Sequence, residues 1–87
     1  MEKIKDNIKR LSDMNVGSLV KIEDLLSSGF IRERMLALGL TKGATVEVIQ
    51  RGPTGDPTIY NIRGAMIALR EDEASLIDVS IKIGRAH

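Results

Sequence analysis

RGPTGDPTIYNIRGAMIALR, residues Arg51–Arg70, sets Gly52, Pro53, Gly55 and Pro57 close together and places Gly64 further on. Two readings of the Gly-rich piece lead to different folds. A phosphate-cradling loop has the form GxxxxGK[ST] and opens directly into a helix whose N-terminus holds the anion. Here no lysine follows GPTGDP, and the next residues, Thr58, Ile59 and Tyr60, are strand formers. In the other reading the loop reverses the chain. Pro53 and Pro57 fix φ, Gly52 and Gly55 permit positive φ, and Asp56-Pro57 is a common turn pair. The loop therefore turns the chain between two strands.

Strand patterns continue on both sides of it. Upstream, Ala44, Val46 and Val48 alternate with Thr45 and Glu47, which makes Ala44–Arg51 a strand. Downstream, Thr58–Arg63 and Ala65–Arg70 are two more. Ile77–Ile83 is the clearest of all, with Ile77, Val79, Ile81 and Ile83 on one face and Asp78, Ser80 and Lys82 on the other. Near the start, the turn signal Asn15-Val16-Gly17 precedes a strand at Ser18–Glu23. One helix interrupts this series, in SSGFIRERMLALGLTKG (Ser27–Gly43). Ser27 or Ser28 can cap its start, and Gly39 stands where a left-handed residue closes a helix. Ile31, Met35 and Leu38 form its apolar stripe, while Arg32, Glu33 and Leu36 lie off it. Glu71–Leu76 adds one helical turn. Short strands with close-spaced turns predict a mainly β fold: a small five-stranded SH3-like barrel with one α-helix and one short helical turn.

The 87 residues suffice for one domain, expected over residues 11–83. Met1–Arg10 carries Ile4 and Ile8 at helical spacing with Leu11 but is too short to hold a helix alone, so a flexible N-terminal extension is expected. A flexible tail is expected at Gly84–His87. Thirteen Lys and Arg against twelve Asp and Glu give a formal charge of +1, and Phe30 and Tyr60 are the whole aromatic complement. Nucleic-acid binding calls for a basic excess or stacking aromatics, and proline-rich peptides call for an aromatic groove, so both are disfavoured. The chain contains no cysteine, hence no disulfide, thiolate metal site or cysteine nucleophile. No apolar run approaches the ~20 residues of a membrane span. A cytoplasmic location is expected, with any membrane connection made through a partner.

A catalytic constellation is missing from the pattern. His87, the sole histidine, lies at the C-terminus, and Glu71, Asp72 and Glu73 suit the exposed start of a helical turn. Met14, Met35 and Met66 are expected as core filler rather than soft metal ligands. No metal site and no cofactor is expected.

The order of motifs is informative as a whole. Arg34, Leu38-Gly39-Leu40, Gly43, Gly55-Asp56-Pro57, Gly64, Ile67-Ala68-Leu69-Arg70 and Glu73-Ala74 follow one another over about Leu11–Ile81. In this the chain resembles the ferrous-iron transport protein A (FeoA) family of small SH3-like domains. The resemblance implies a non-enzymatic accessory protein of ferrous-iron uptake. Such a protein is expected to contact the cytoplasmic part of the FeoB-type membrane transporter and regulate it, with weak self-association a subsidiary expectation. The alternative is a regulatory domain that senses ferrous iron, a transition metal, directly. A similar domain closes iron-dependent repressors, but no winged-helix DNA-binding half is present in this sequence.

For docking, the residues point to the helix Gly29–Leu38 and the turn after it. Leu36 is a candidate anchor, or simply one of the exposed leucines every surface has. Arg32, Arg34 and Lys42 give that surface a positive rim. Arg34 has a structural alternative, with its stem packed on the barrel and its fork on backbone carbonyls.

Overall fold

The computed structural model describes residues 8–82. Six strands form one antiparallel sheet: β1 (Ile8–Arg10), β2 (Leu19–Leu25), β3 (Thr45–Arg51), β4 (Thr58–Ile62), β5 (Ala65–Leu69) and β6 (Ile77–Ile81). Helix α1 (Gly29–Ala37) lies between β2 and β3, and the single turn α2 (Glu71–Ala74) between β5 and β6. The spatial order is β1-β6-β2-β3-β4-β5.

Alternation drives this arrangement, because a pleated strand can bury only every second side chain. Val20 and Ile22 of β2, Val46 and Val48 of β3, Tyr60 and Ile62 of β4 and Ile77 and Val79 of β6 all point inward and are buried. Leu11, just after β1, and Leu69, at the end of β5, join the same core cluster, although they come from opposite ends of the strand order. The sheet must therefore curl around its inner face. Two register shifts help it bend, between Ile22 and Asp24 of β2 and between Val48 and Gln50 of β3. The curl is held by the segment Met14–Ser18. Its Gly17 N–H donates to the Val48 carbonyl (2.8 Å), and the Arg51 guanidinium donates both to Thr58 Oγ1 (2.9 Å) and to the Met14 carbonyl.

The strand count differs from the five expected. Ile8–Arg10 forms a sixth strand, paired with Ser80, Val79 and Asp78 of β6, and Arg10 Nη1 donates to the Ser75 carbonyl (3.0 Å). A three-residue edge strand with Lys9 and Arg10 exposed is too brief to show a period, so helical spacing dominated the reading of that segment. The remainder of the expected extension, residues 1–7, and the expected tail, with Ile83, lie outside the described residues. The other elements stand within two residues of their predicted bounds.

The Gly-rich loop between β3 and β4 does turn the chain. Gly52 N–H donates to the Pro57 carbonyl (2.8 Å), and Gly55 N–H to the Gly52 carbonyl (2.9 Å), across a cis Asp56-Pro57 peptide. The loop also reaches α2, whose first N–H, on Glu71, donates to Asp56 Oδ1 (2.9 Å). Gly52 is where the chain passes itself most tightly. A Cβ there would sit 3.0 Å from the Pro57 carbonyl oxygen and 3.1 Å from that of Asp56. Gly52→Ala is therefore expected to cost about 1–3 kcal/mol by overpacking against backbone. In a domain of this size that lowers the melting temperature by roughly 4–8 °C per kcal/mol, measurable by circular dichroism.

Candidate functional site

Helix α1 is short, and Met35 is its one buried residue. Its ends are specified locally. Ser28 takes the extended N-cap conformation, with its side chain making no capping bond. At the other end Gly39 adopts φ 98°, its N–H donates to the Leu36 carbonyl (3.0 Å), and the Leu40 N–H donates to the Met35 carbonyl (3.0 Å). This is a Schellman closure, in which Leu40 and Met35 are both buried as the motif's apolar pair.

Polar ties then fix the helix to the sheet. Arg32 Nη1 donates to the Leu25 carbonyl at the end of β2 (3.1 Å). Arg34 pairs with the Glu73 carboxylate of α2, and the other oxygen of that carboxylate accepts the Arg70 N–H (2.9 Å). Arg63, in the tight turn between β4 and β5, donates from Nη2 to Thr41 Oγ1 (2.9 Å) and from Nε to the Gly39 carbonyl (3.4 Å). Burial alone would raise the Glu73 pKa, but the Arg70 N–H and the Arg34 guanidinium outweigh it and hold the carboxyl below its usual value.

What α1 shows outward is apolar as well as charged. Phe30 is 88% exposed, Ile31 44% and Leu36 38%, and Leu26 just upstream is also exposed. Leu36 thus stands off the core, as its place on the wheel predicts. Ile31 departs from the wheel: expected on the buried stripe, it is open to solvent, because α1 meets the core through Met35 with Leu38 packed at the margin. Phe30 is the residue the sequence reading missed. Five positions before Met35, it lies about 140° round the helix from the buried direction, so a wheel centred on Met35 would have found it. Lys42 is exposed in the following turn. Arg32 and Arg34 border the patch too, although each guanidinium is engaged within the domain. Of the methionines, Met14 and Met35 are buried as expected, whereas Met66 is 61% exposed on β5 and is not core filler.

A concavity of about 200 Å³ is lined in part by Arg51, Thr58, Tyr60 and Glu71. Burial pushes the Tyr60 phenol up, against a weaker downward pull from the Arg51 cation, so it stays protonated at neutral pH. Among the described residues, no three His, Cys, Asp or Glu side chains form a group that could hold a metal ion. None of the described helices is long and apolar enough to cross a membrane.

The fold and this surface define a small SH3-like barrel that carries an outward-facing helix tied down at both ends. The chain belongs to the FeoA domain family, whose model matches residues 9–81. Ferrous-iron transport is the process in which that family takes part. A relative 33% identical over 72 residues is the Fe(2+) transport protein A/Fe(2+) transporter FeoB fusion protein of Porphyromonas gingivalis; the match covers 83% of this chain and 8% of that much longer protein. Among solved structures, the FeoA protein of Chlorobium tepidum is similar with a TM-score of 0.82 and 31% identity, over 90% of this chain and 74% of that one. FeoA of Stenotrophomonas maltophilia, solved in complex with zinc and described as a procaryotic SH3 domain protein, is similar with a TM-score of 0.74 and 26% identity, over 83% and 89% of the two chains.

The Glu73 arrangement has a pH signature. A carboxyl whose folded pKa lies below its unfolded value contributes stability that is present above the unfolded pKa and lost as pH falls through the folded one. Glu73→Gln is expected to flatten the acid limb of stability below about pH 4.5, the ordinary glutamate range. At neutral pH it should cost no more than about 1 kcal/mol, since Arg34 is half exposed. Urea titrations of the two proteins at pH 3.5 and pH 7 measure both effects.

Proposed function

We propose that this chain is a non-enzymatic accessory protein of ferrous-iron uptake that docks on the cytoplasmic part of a FeoB-type transporter and regulates it. The observation that carries this reading is the relative in which a matching domain is fused to FeoB. Joining two modules in one polypeptide raises their mutual concentration to about the millimolar range.

The surface we assign is α1 with the turn after it. Phe30 and Leu36 are the apolar anchors: burying the almost fully exposed Phe30 against a partner is worth about 1.5–3 kcal/mol, and the part of Leu36 still exposed adds a fraction of that. Lys42, exposed in the turn after α1, supplies a positive charge at the rim. Arg32 and Arg34 contribute positive potential while holding α1 in place through Leu25 and Glu73. An aromatic side chain this exposed stabilises nothing in the free domain, which is the pattern of a residue kept for an interface.

Phe30→Ala is expected to leave the melting temperature within a degree or two of wild type, and Leu36→Asp, which places a carboxylate in the last turn of α1, to lower it by about 4–8 °C with the domain still folded. Each should weaken retention by the transporter's cytoplasmic region about tenfold or more, the equivalent of 1.4 kcal/mol. Arg32→Ala combined with Leu36→Asp should weaken it further. If the folded variants bind the transporter and support iron uptake as wild type does, the assigned surface is wrong. Anaerobic calorimetry separates this reading from direct iron sensing. Ferrous iron at micromolar concentration is expected to give no stoichiometric heat with the free chain, and a one-to-one heat would favour the sensor.

A further inference from the structure

The two edges of the sheet are built differently. β1 is three residues long and carries Lys9 and Arg10, both exposed. That is how natural sheets protect an edge from pairing with another chain, by shortness and charge. Self-pairing of β1 about its centre would also set Lys9 against Lys9. β5, at the other end of the strand order, has neither protection. Its five residues, AMIAL, include no charged side chain and no proline, and among the described residues it pairs only with β4.

The outward polar groups of β5 follow from the turn before it. Ile62 and Ala65 are opposed across the two-residue turn Arg63-Gly64, whose φ values of 54° and 90° are those of a type I′ hairpin. In such a hairpin the residues flanking the turn exchange hydrogen bonds, so Ala65, Ile67 and Leu69 face β4 with their backbone groups. The N–H and C=O groups of Met66 and Ala68 therefore point away from the sheet. The Met66 side chain, 61% exposed, lies on the outer face.

We infer that β5 pairs with β5 of a second copy of this chain, antiparallel about a two-fold axis at Ile67, to give a weak dimer with a sheet continuous across both molecules. This register opposes Met66 to Ala68 of the second copy and Ala68 to Met66, so all four outward backbone groups of each strand are satisfied. It sets a long apolar side chain beside a small one on the outer face. Beyond the ends of the ladder it sets Glu71, the first residue of α2, on the side of the second copy's Arg63-Gly64 turn, where the exposed Arg63 supplies opposite charge while its guanidinium stays bonded to Thr41 and Gly39. Glu71 and Arg63 are both exposed. A five-residue ladder buries less than the roughly 1,200 Å² of a stable complex, so the association is transient and concentration-dependent. The inference does not rest on transporter docking, which uses a different element.

Sedimentation velocity of the full chain tests it. The weight-average mass is expected to rise from 9.6 kDa toward twice that value between about 10 µM and 1 mM. Amide shifts that change on dilution should centre on Ala65–Leu69. Met66→Lys, at an exposed position, should weaken the dimer tenfold or more without changing the melting temperature. Glu71→Arg brings a positive charge toward the second copy's Arg63 and should weaken it as well. A chain that stays monomeric at 1 mM overturns the inference. So do dilution shifts centred on α1, or a Met66→Lys variant that dimerises as wild type but loses the transporter fragment.

Discussion

A sheet of six short strands has only one face it can bury, and it must bring the two ends of that face together to enclose anything. Leu11 and Leu69 meet in one core because the sheet bends at β2 and β3 and because Arg51 and Gly17 fasten the Met14–Ser18 segment across β3. Once the strands have closed on themselves, little interior is left for a helix. Met35 and the margin offered to Leu38 are all that α1 receives. The exposure of Phe30, Ile31 and Leu36 follows from that shortage of interior rather than from any fault in the helix.

A helix that buries one side chain is not held by the hydrophobic effect to any great extent, and polar contacts take over the task. The Schellman closure at Gly39, the Arg32 bond to Leu25 and the Arg63 bonds to Gly39 and Thr41 each fix one end of α1 or the turn beyond it. Arg34 reaches Glu73, which caps α2, and α2 in turn receives Asp56 from the Gly-rich loop. The loop, the turn of helix and α1 thus form one connected set of contacts along one side of the barrel. A helix held this way is presented in a single arrangement.

The strands, the turns and the helix of this protein were legible in its residues, because pleat alternation, proline φ and glycine freedom act within a few positions of themselves. Ile8–Arg10 escaped because three residues carry no period, and pairing with β6 is a contact across some 70 positions. Of the exposed apolar side chains on α1, Leu36 was found on the wheel and Phe30 was not. A wheel gives the angles between side chains but not the direction in which the sheet lies.

By itself, then, the sequence determined where the chain runs straight, where it reverses and which faces alternate, since these depend on neighbours a few bonds away. Only the tertiary structure decided which apolar side chains are covered and which guanidinium groups are already engaged. Ile31 and Met66 looked like core residues yet lie open, one on a helix that barely touches the sheet and the other on the outer face of its last strand. Burial is a property of what arrives from elsewhere in the chain, and no local pattern records it.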